Sequence, residues 1–458
     1  MDVPTESQRS RRRRFRVVAI VVAVLAAVAA VPFAIRAHGR SLLAEVRARH
    51  AAAGLGVSAR DLADSLPPVD ADLVRRCDSL ERAVQRAIAQ QMVIPPTVND
   101  WIVGARSDPP PELDAELARL QPEMEALADV LRGEGLLLGV AGHLPRREAA
   151  SRLRWKDVVS IHISNLLVQR QAAVWIRFAA LRSEDPGPYL DALDGQRKAL
   201  LHPASLIDAM IALAMLGERD RAYADLVLRG RLPPDRVARW LAEEPEHLRL
   251  SADGFRGERL LFGVALADGL TNGTFGAKDL AGGPSGPRAW GRNLGLSLEI
   301  WLYGMRDAAR VLEAGADMED RLRGGPGTID PARLAGWLED GDTELSMFLP
   351  NTHAAEASAR DSRTLHRMAR VLVRTLGAAK ERGRLPTDET ELRAWLGAEA
   401  VALDPGPIDV AIRYESVSPG VLRLFRAPPG PIPVVVGGPV VRRAIHWAWD
   451  GIEVHLAK

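Results

Sequence analysis

The sequence contains little cysteine, little lysine and almost no net charge, and each scarcity excludes a class of site or partner. Cys77 is the single cysteine, which excludes an intrachain disulfide and any metal site built from several thiolates. Only five lysines occur in 458 residues, and this preference for arginine, with abundant alanine, is typical of a GC-rich bacterial genome. The formal net charge of +1 means that nothing in the overall composition indicates nucleic-acid binding.

Short catalytic motifs are also missing. The chain has no His-Glu-x-x-His, Gly-x-Ser-x-Gly or Ser-x-x-Lys sequence and no dinucleotide-binding glycine pattern. The stretch "GTFGAKD" (273–279) differs from a phosphate-binding loop, in which Gly-Lys precedes Ser or Thr. The sequence therefore predicts no catalytic residue and no cofactor. An enzymatic role stays open, and a non-enzymatic one is favoured.

One long apolar run is present near the N-terminus. Val17–Ile35 contains nineteen residues without a charge. As a helix it spans about 28 Å, close to the hydrocarbon thickness of a bilayer. Six arginines between residues 9 and 16 precede it. This charge bias predicts a transmembrane anchor at 17–35, a basic cytoplasmic tail at 1–16, and a remainder that lies on the periplasmic side of a bacterial inner membrane.

Two other interpretations of the N-terminus stay open. Ala27-Val28-Ala29 has the small-x-small pattern of a signal-peptide cleavage site. Arg12-Arg13-Arg14-Phe15 loosely fits the core of a twin-arginine signal. The full length of the apolar run favours an uncleaved signal-anchor over both alternatives.

The chain after the anchor has helical periodicity almost throughout residues 41–382. It is too long for one compact core, so more than one unit is expected. Closely spaced helices indicate an extracytoplasmic α-helical bundle of helical hairpins. An apolar stripe from Leu113 to Leu131 predicts one helix. Further helices are predicted at 151–182, 187–200, 203–217, 218–229, 233–243, 294–322, 331–339 and 354–381. A glycine-rich surface loop is predicted at 269–295.

The periodicity changes after residue 382. Residues 409–416 alternate apolar and polar side chains, which is typical of a half-buried strand. Further strands are predicted at 420–426 and 431–436. Residues 383–458 are therefore predicted to form a small α+β module, and the fold class is mainly α with a small C-terminal antiparallel β-sheet.

The stretch "AIHWAWDGIEVHLA" (444–457) is predicted to be a hairpin that turns at Asp450-Gly451. In that register His446 lies opposite His455. Two facing imidazoles with Glu453 nearby have the ligand types of a zinc site. The simpler interpretation is the solvated face of an amphipathic hairpin. It is favoured because the two histidines lack the helical spacing of a specific metal motif and no residue that would orient their rings is evident. His446, Glu453 and His455 are kept as metal candidates.

Two further pairs of polar residues each allow two interpretations. Glu258-Arg259 in "FRGERLLF" (255–262) either clamps an anionic ligand or forms an ion pair that joins helices, and the ion pair is favoured. His162 with Asn165 either faces a pocket or forms a satisfied core pair, and the core pair is favoured.

Several segments carry a resemblance to other proteins. They are "EVRARHAAAGLGVSARDLADSLPPV" (45–69), "HPASLIDAMIALAMLGERDRAYADLVLRGRLPPDRVARWL" (202–241), "FRGER" (255–259) and "GRLPTDETELRAWL" (383–396) with "LDPGPIDVAIRYE" (403–415). The chain resembles a group of uncharacterised membrane-anchored envelope proteins of planctomycete-like bacteria. Its final module is similar to the C-terminal part of pseudopilins, although a pilin-type cleavage site is missing. The resemblance implies an envelope location and no established activity.

The sequence as a whole predicts a single-pass inner-membrane protein whose periplasmic part is an interaction or structural module with protein partners in the envelope. One alternative is an envelope enzyme or ligand-binding protein with a pocket between helices, using Glu258, Arg259 or the terminal histidines. Another alternative is a pseudopilin-like component of a secretion system.

Overall fold

The computed structural model describes most of the chain. The described residues are 6–66, 71–89, 110–132, 157–158, 166–199, 202–243, 246–276, 287–330, 332–333, 337, 352–404, 411–418, 421–427, 444–448 and 451–455. The predicted strand at 431–436, the pair His162 and Asn165, and the turn residue Asp450 lie outside these ranges.

The described residues form a mainly helical molecule with a small antiparallel sheet, as the periodicity predicts. The helices are α1 (Glu6–Ala52), α2 (Ala59–Ser65), α3 (Ala71–Ala89), α4 (Pro111–Arg132), α5 (Leu166–Arg182), α6 (Gly187–Ala199), α7 (Leu206–Leu228), α8 (Pro234–Ala242), α9 (His247–Glu258), α10 (Val264–Asn272), α11 (Pro287–Leu322), α12 (Thr352–Arg382) and α13 (Glu389–Leu396). A π-helical turn (Arg259–Gly263) joins α9 to α10, and a 3₁₀ segment (Gly397–Leu403) follows α13. The strands are β1 (Ala411–Ser418), β2 (Val421–Ala427), β3 (Ala444–Ala448) and β4 (Gly451–His455).

Polar side chains start several of these helices. Ser58 accepts from the Asp61 amide while the Asp61 carboxylate accepts from the Ser58 amide, which is a capping box at the start of α2. Ser205 caps α7 and Asp388 caps α13 in the same way, each by accepting from the third amide of the helix. These caps satisfy amides that have no partner within the helix, so the short polar residues decide where the helices begin.

Helix α1 contains the whole predicted anchor. It runs from Glu6 to Ala52 with Pro32 inside it. Across the residues that the structure describes, no helix combines the length and the apolarity needed to cross a membrane. The side chains of residues 6–28 lie outside that description, so the anchor at Val17–Ile35 stays a prediction.

Helices α1 and α11 pack side by side and run in the same direction. Phe33 meets Trp301 edge-on with ring centroids 5.4 Å apart. Three turns or more further along, Arg49 forms an ion pair with Glu313. At Gly39 the backbones approach so closely that an added Cβ would lie 3.1 Å from the Arg306 amide nitrogen. Because the paired positions advance together, the two helices are parallel.

The buried apolar side chains form three clusters in the described part of the chain. The first lies among α4, α5, α6, α7, α8, α12 and α13 and includes the inner face of the sheet. The second lies where α1 and α2 meet α10 and α11. The third lies between α7, α9, α11 and α12, with Trp337. Helix α9 therefore packs between the helices of the first and second clusters.

Two predicted boundaries are wrong. The helix break predicted at Gly217 is absent, because α7 continues from Leu206 to Leu228. Both neighbouring turns are buried in the core, and that burial outweighs the roughly 1 kcal/mol that a mid-helix glycine costs. In the loop predicted at 269–295, residues 269–272 and 287–295 are helical, since α10 extends to Asn272 and α11 begins at Pro287, and residues 277–286 lie outside the described part of the chain.

The sheet has the order β1-β2-β4-β3 with all neighbours antiparallel. Ile412 and Tyr414 of β1 and Leu422 and Leu424 of β2 are buried, which confirms the predicted half-buried alternation. The Tyr414 hydroxyl donates to the carbonyl of Pro386 at 2.6 Å. These side chains belong to the first helical cluster, so the terminal sheet shares a core with the helices before it.

Candidate functional site

Three polar side chains that are far apart in the sequence meet inside the helical core. Asp220 lies on α7, His247 is the first residue of α9, and His366 lies on α12. Their relative exposures are 4%, 1% and 4%. Each offers one potential ligand atom, and these atoms all lie within 4.8 Å of one another. We call these three residues the Asp-His-His cluster.

The hydrogen bonds of the cluster converge on Asp220. His366 Nδ1 lies 2.7 Å from Asp220 Oδ2, and the indole nitrogen of Trp240 donates to Asp220 Oδ1 at 3.0 Å. The Trp240 ring stacks on Tyr223 with centroids 5.3 Å apart. The imidazoles of His247 and His366 lie 5.1 Å apart. Both oxygens of the carboxylate are therefore held in a fixed orientation.

The protonation states of the cluster are set by its burial and its neighbours. Burial lowers the pKa of His247 to about 3, and the adjacent His366 adds to this effect. Burial alone would raise the pKa of Asp220, but His366, Arg219 and His247 outweigh it and lower that pKa to about 2. At neutral pH His247 is a neutral imidazole and Asp220 is a carboxylate, which are the forms that bind metals.

Arginines surround the cluster, and carboxylates or carbonyls bind them. Arg219 contacts Asp194 at 2.5 Å and Glu243 at 2.7 Å. Arg370 donates to the carbonyl of Glu243 at 2.9 Å. Arg197 pairs with Glu243 at 3.3 Å. Arg219 and Arg197 are therefore paired with carboxylates of the protein itself.

Sequence reasoning missed the Asp-His-His cluster. His247 and His366 stand alone in their helices, with no partner at a metal-binding spacing, and Asp220 lies 146 residues from His366. The only local signal is that each is a polar residue on an otherwise apolar helix face. A single buried histidine is common in helical cores, so that signal does not identify a site.

Arg259 follows the second of the two predicted interpretations, whereas the Glu258 carboxylate accepts a hydrogen bond from the Leu206 amide at 3.4 Å. Arg259 donates to the carbonyls of Leu55 and Gly56 at 2.5 and 2.9 Å and pairs with Glu319 at 3.0 Å. The guanidinium therefore joins the loop after α1 to α11, and the helix-joining interpretation is confirmed. Glu258 and Arg259 line a cavity of about 20 Å³, which is room for one water molecule.

A larger groove lies between α4, α5 and α6. It encloses about 310 Å³ and is lined by Leu117, Met124 and Tyr189 among others. At its rim Arg182 binds Asp114 through two hydrogen bonds of 2.8 and 2.9 Å. The volume is at the lower end of the range for small-molecule pockets.

The terminal hairpin has a different register from the predicted one. His446 pairs with Glu453, and His455 pairs with Ala444, so the two histidines are not directly opposite. Their side chains lie outside the described part of the chain. The predicted facing of His446 and His455 is therefore wrong. Strand β4 also pairs with β2 along its other edge. The register of the hairpin therefore depends on this second pairing as well as on the turn.

Four large apolar side chains are exposed where α1 and α11 leave the second cluster. Val31 and Phe33 on α1 are 54% and 65% exposed, and Leu294 and Leu298 on α11 are 58% and 57% exposed. We call these four residues the apolar collar. Arg36 follows directly, donating to the carbonyl of Trp301 at 2.7 Å with its guanidinium 5.0 Å from the indole ring centroid.

Comparison with known proteins does not add a relative. No protein-family model, no curated protein and no solved structure matches the chain. The resemblance to membrane-anchored envelope proteins therefore stays a prediction from the segments quoted above.

Proposed function

We propose that the chain is a single-pass protein of a bacterial inner membrane, with a periplasmic helical domain that serves as an interaction or structural module. The observation that carries this proposal is the continuity of α1. The charge-free run Val17–Ile35 continues in the same helix to the turns where Leu43 and Val46 enter the second cluster. That continuity supports an anchor that holds the domain close to the bilayer instead of a flexible tether.

The apolar collar supports the same orientation. Because α1 and α11 are parallel, Leu294 and Leu298 lie beside the last turns of the predicted anchor. Arg36 and Trp301 come next along the pair, and arginine and tryptophan are residue types enriched at bilayer surfaces. We infer that the first turns of α11 rest in the membrane interface beside α1.

Two observations favour a binding or structural role over catalysis. The Asp-His-His cluster is buried among α7, α9 and α12 in the described part of the chain, with each of its residues at most 4% exposed. Arg259 uses both terminal guanidinium nitrogens on protein groups. The partners that we propose are other proteins of the envelope, and the module that contacts them includes the terminal sheet.

Topology is tested by labelling single cysteines in a Cys77→Ser background. Glu184→Cys reports on an exposed site of the helical domain, and Ser10→Cys reports on the basic tail. In intact spheroplasts we expect a membrane-impermeant maleimide to label Glu184→Cys, and to label Ser10→Cys only after permeabilisation. Labelling of both sites, or of Ser10→Cys alone, would contradict the proposed orientation. The intact mass of the purified chain then separates an uncleaved anchor from a cleaved signal peptide.

The interaction role is tested by the native size and composition of the complex after mild detergent extraction from its own membrane. Companion proteins at a fixed stoichiometry are the expected result. A monomer without companions would count against the interaction role. Deleting residues 383–458 is a poor test, because Ile412, Tyr414, Leu422 and Leu424 belong to the first cluster and their loss would unfold the helices as well.

A further inference from the structure

The Asp-His-His cluster has the ligand chemistry of a transition-metal site. We propose that Asp220, His247 and His366 bind one divalent transition metal ion, with Zn²⁺ as the first candidate. Two imidazoles and one carboxylate are a donor set that zinc uses in proteins. The inference is independent of the proposed membrane function, because it depends only on side chains in the helical core.

Unsatisfied nitrogen atoms are the observation that points to a ligand. Within the described residues, no hydrogen-bond partner reaches Nδ1 or Nε2 of His247 or Nε2 of His366. His247 is 1% exposed, so neither ring nitrogen is solvated. Leaving a buried polar group without a partner costs about 1–3 kcal/mol, and such groups are rare in folded proteins. A cation that accepts an imidazole lone pair removes part of this penalty.

Metal binding through His366 Nδ1 and Asp220 Oδ2 would replace their 2.7 Å hydrogen bond and widen that separation, while a nitrogen of His247 would move closer. Zinc–nitrogen and zinc–oxygen bonds of about 2.0–2.2 Å at tetrahedral angles place neighbouring ligand atoms about 3.3 Å apart. The ligand atoms of the cluster already lie within 4.8 Å of one another. Rotation about the side-chain torsions of His247 and His366 would have to make both adjustments. The described residues bring three protein ligands, which leaves a fourth position for a water molecule.

The surroundings of the cluster orient the carboxylate and balance its charge. Trp240 donates to Asp220 Oδ1, which is the arrangement that holds a ligating carboxylate in place while its other oxygen binds the metal. The acidic partners of Arg219 and Arg197 reduce the repulsion that a dication would meet.

A bound metal would act as a structural link. The three ligands come from α7, α9 and α12, the helices that border the first and third clusters. Because the unfolded chain does not hold these residues together, the binding free energy adds to the stability of the folded chain. The competing interpretation is a metal-free node, in which the His366–Asp220 hydrogen bond persists without a metal ion.

Metal content and metal-dependent stability test the proposal. The full chain is purified in mild detergent, without added metal and with an affinity tag that contains no histidine. We expect about one equivalent of metal per chain, measured by inductively coupled plasma mass spectrometry. We also expect a chelator to lower the Tm and Zn²⁺ to restore it. Co²⁺ in place of Zn²⁺ should give the visible absorption bands of a low-coordinate site.

Matched variants locate the ion. His247→Gln and His366→Gln should each lose the metal and the response of the Tm to Zn²⁺. His202→Gln, at an exposed histidine, and His446→Gln, in the terminal hairpin, should keep both. Trace metal together with a Tm that does not respond to Zn²⁺ or Co²⁺ overturns the proposal and leaves the metal-free node. Loss of the metal in His446→Gln alone also overturns it. If a core variant fails to fold, the Tm and Co²⁺ measurements on the unaltered chain decide the question.

Discussion

At the scale of single residues, arginine forms the buried ion pairs that join separate helices in the described part of the chain at Arg177 and Arg259. Arg177 is 4% exposed and binds Glu218 and Asp225 at 3.1 and 2.6 Å, which joins α5 to α7. Arg259 joins the loop after α1 to α11 in a similar way. The planar guanidinium has five donors and satisfies two partners at once, so it suits buried ion pairs better than lysine. The bias toward arginine that is evident in the composition therefore has structural consequences in the core.

Replacing Arg177 tests whether its buried ion pairs stabilise the fold. Arg177→Met leaves Glu218 and Asp225 buried without their shared cation, so we expect the free energy of unfolding to fall by about 3–5 kcal/mol. The control is Arg182→Met, which removes the exposed ion pair with Asp114 and should cost less than about 1 kcal/mol. Urea denaturation in mild detergent measures both variants. Equal losses in the two variants would contradict a special role for the buried pair.

Glu258 makes stability depend on pH. Burial raises the pKa of Glu258 to about 7 from 4.5, against the hydrogen bond from the Leu206 amide, and Asp208 adds to the rise. Because the folded pKa lies above the unfolded one, the stability contributed by the protonated form is complete below pH 4.5 and is lost as pH rises through 7. Above pH 7 the charged carboxylate in its small cavity therefore destabilises the fold.

The corresponding variant is Glu258→Gln, which is neutral at every pH. At pH 8 we expect it to be more stable than the unaltered chain by about 1–3 kcal/mol, whereas the two should agree closely near pH 4.5. Glu184→Gln, at an exposed glutamate, should show no such pH-dependent difference in stability. The free energy of unfolding is measured by denaturation at the two pH values. A difference between Glu258→Gln and the unaltered chain that is the same at both pH values would contradict the raised pKa of Glu258.

At the scale of elements, glycine allows α9 to touch the start of α7 backbone to backbone. An added Cβ on Gly257 would lie 2.2 Å from the carbonyl oxygen of Ala204, and one on Gly254 would lie 2.6 Å from Cβ of Ala209. Such close packing carries His247 toward α7 and Asp220. The glycines of α9 are therefore part of how the Asp-His-His cluster is assembled.

Two glycine-to-alanine changes separate close packing from helix propensity. Gly257→Ala forces α9 away from Ala204 and should destabilise the chain by about 1–3 kcal/mol. Gly217→Ala lies inside α7, where an added Cβ meets nothing within 4 Å, and should stabilise it by about 0.5–1 kcal/mol. Thermal denaturation of the two variants provides the comparison. Effects of the same sign would show that local propensity, and not the contact with α7, dominates at Gly257.

At the scale of the whole molecule, the proposed arrangement depends on the parallel pair of α1 and α11. This pair fixes the position of the helical domain relative to the proposed anchor. Contacts at Trp301, Arg306 and Glu313 hold α1 between Phe33 and Arg49, in its C-terminal part. The apolar collar lies at one end of this pair, and the second and third clusters include residues further along it. If the anchor spans the bilayer, this pair holds the domain at the surface.

A polarity-sensitive fluorophore checks that arrangement in the Cys77→Ser background. Attached at Leu298→Cys, it should emit at a shorter wavelength in proteoliposomes and be quenched by a quencher carried on lipid chains. Val401→Cys is a matched control, because Val401 is 70% exposed but lies in the 3₁₀ segment beside the terminal module. Identical emission and quenching at the two positions would rule out contact of the collar with the bilayer.

The sequence by itself determined the features that depend on neighbouring residues. Apolar repeats, prolines and short polar caps were enough to predict the helices that begin at Pro111, Gly187 and Pro234 and the alternating strand around Ile412. The apolar run at Val17–Ile35 is a feature of the same kind, since its length and its flanking arginines are read directly from the chain. Such signals extend over a few turns, which is the range of hydrogen bonding and side-chain contact within one element.

Only the tertiary structure decided which elements meet. It carried α7 through Gly217, set the hairpin register that pairs His446 with Glu453, and brought Asp220 and His366 together across 146 residues. The physical reason is that these outcomes depend on the burial of surfaces from separate elements. A mid-helix glycine is tolerated when its neighbours are buried, and a histidine becomes a candidate ligand when two other helices place donors beside it. No local pattern of residues contains that information.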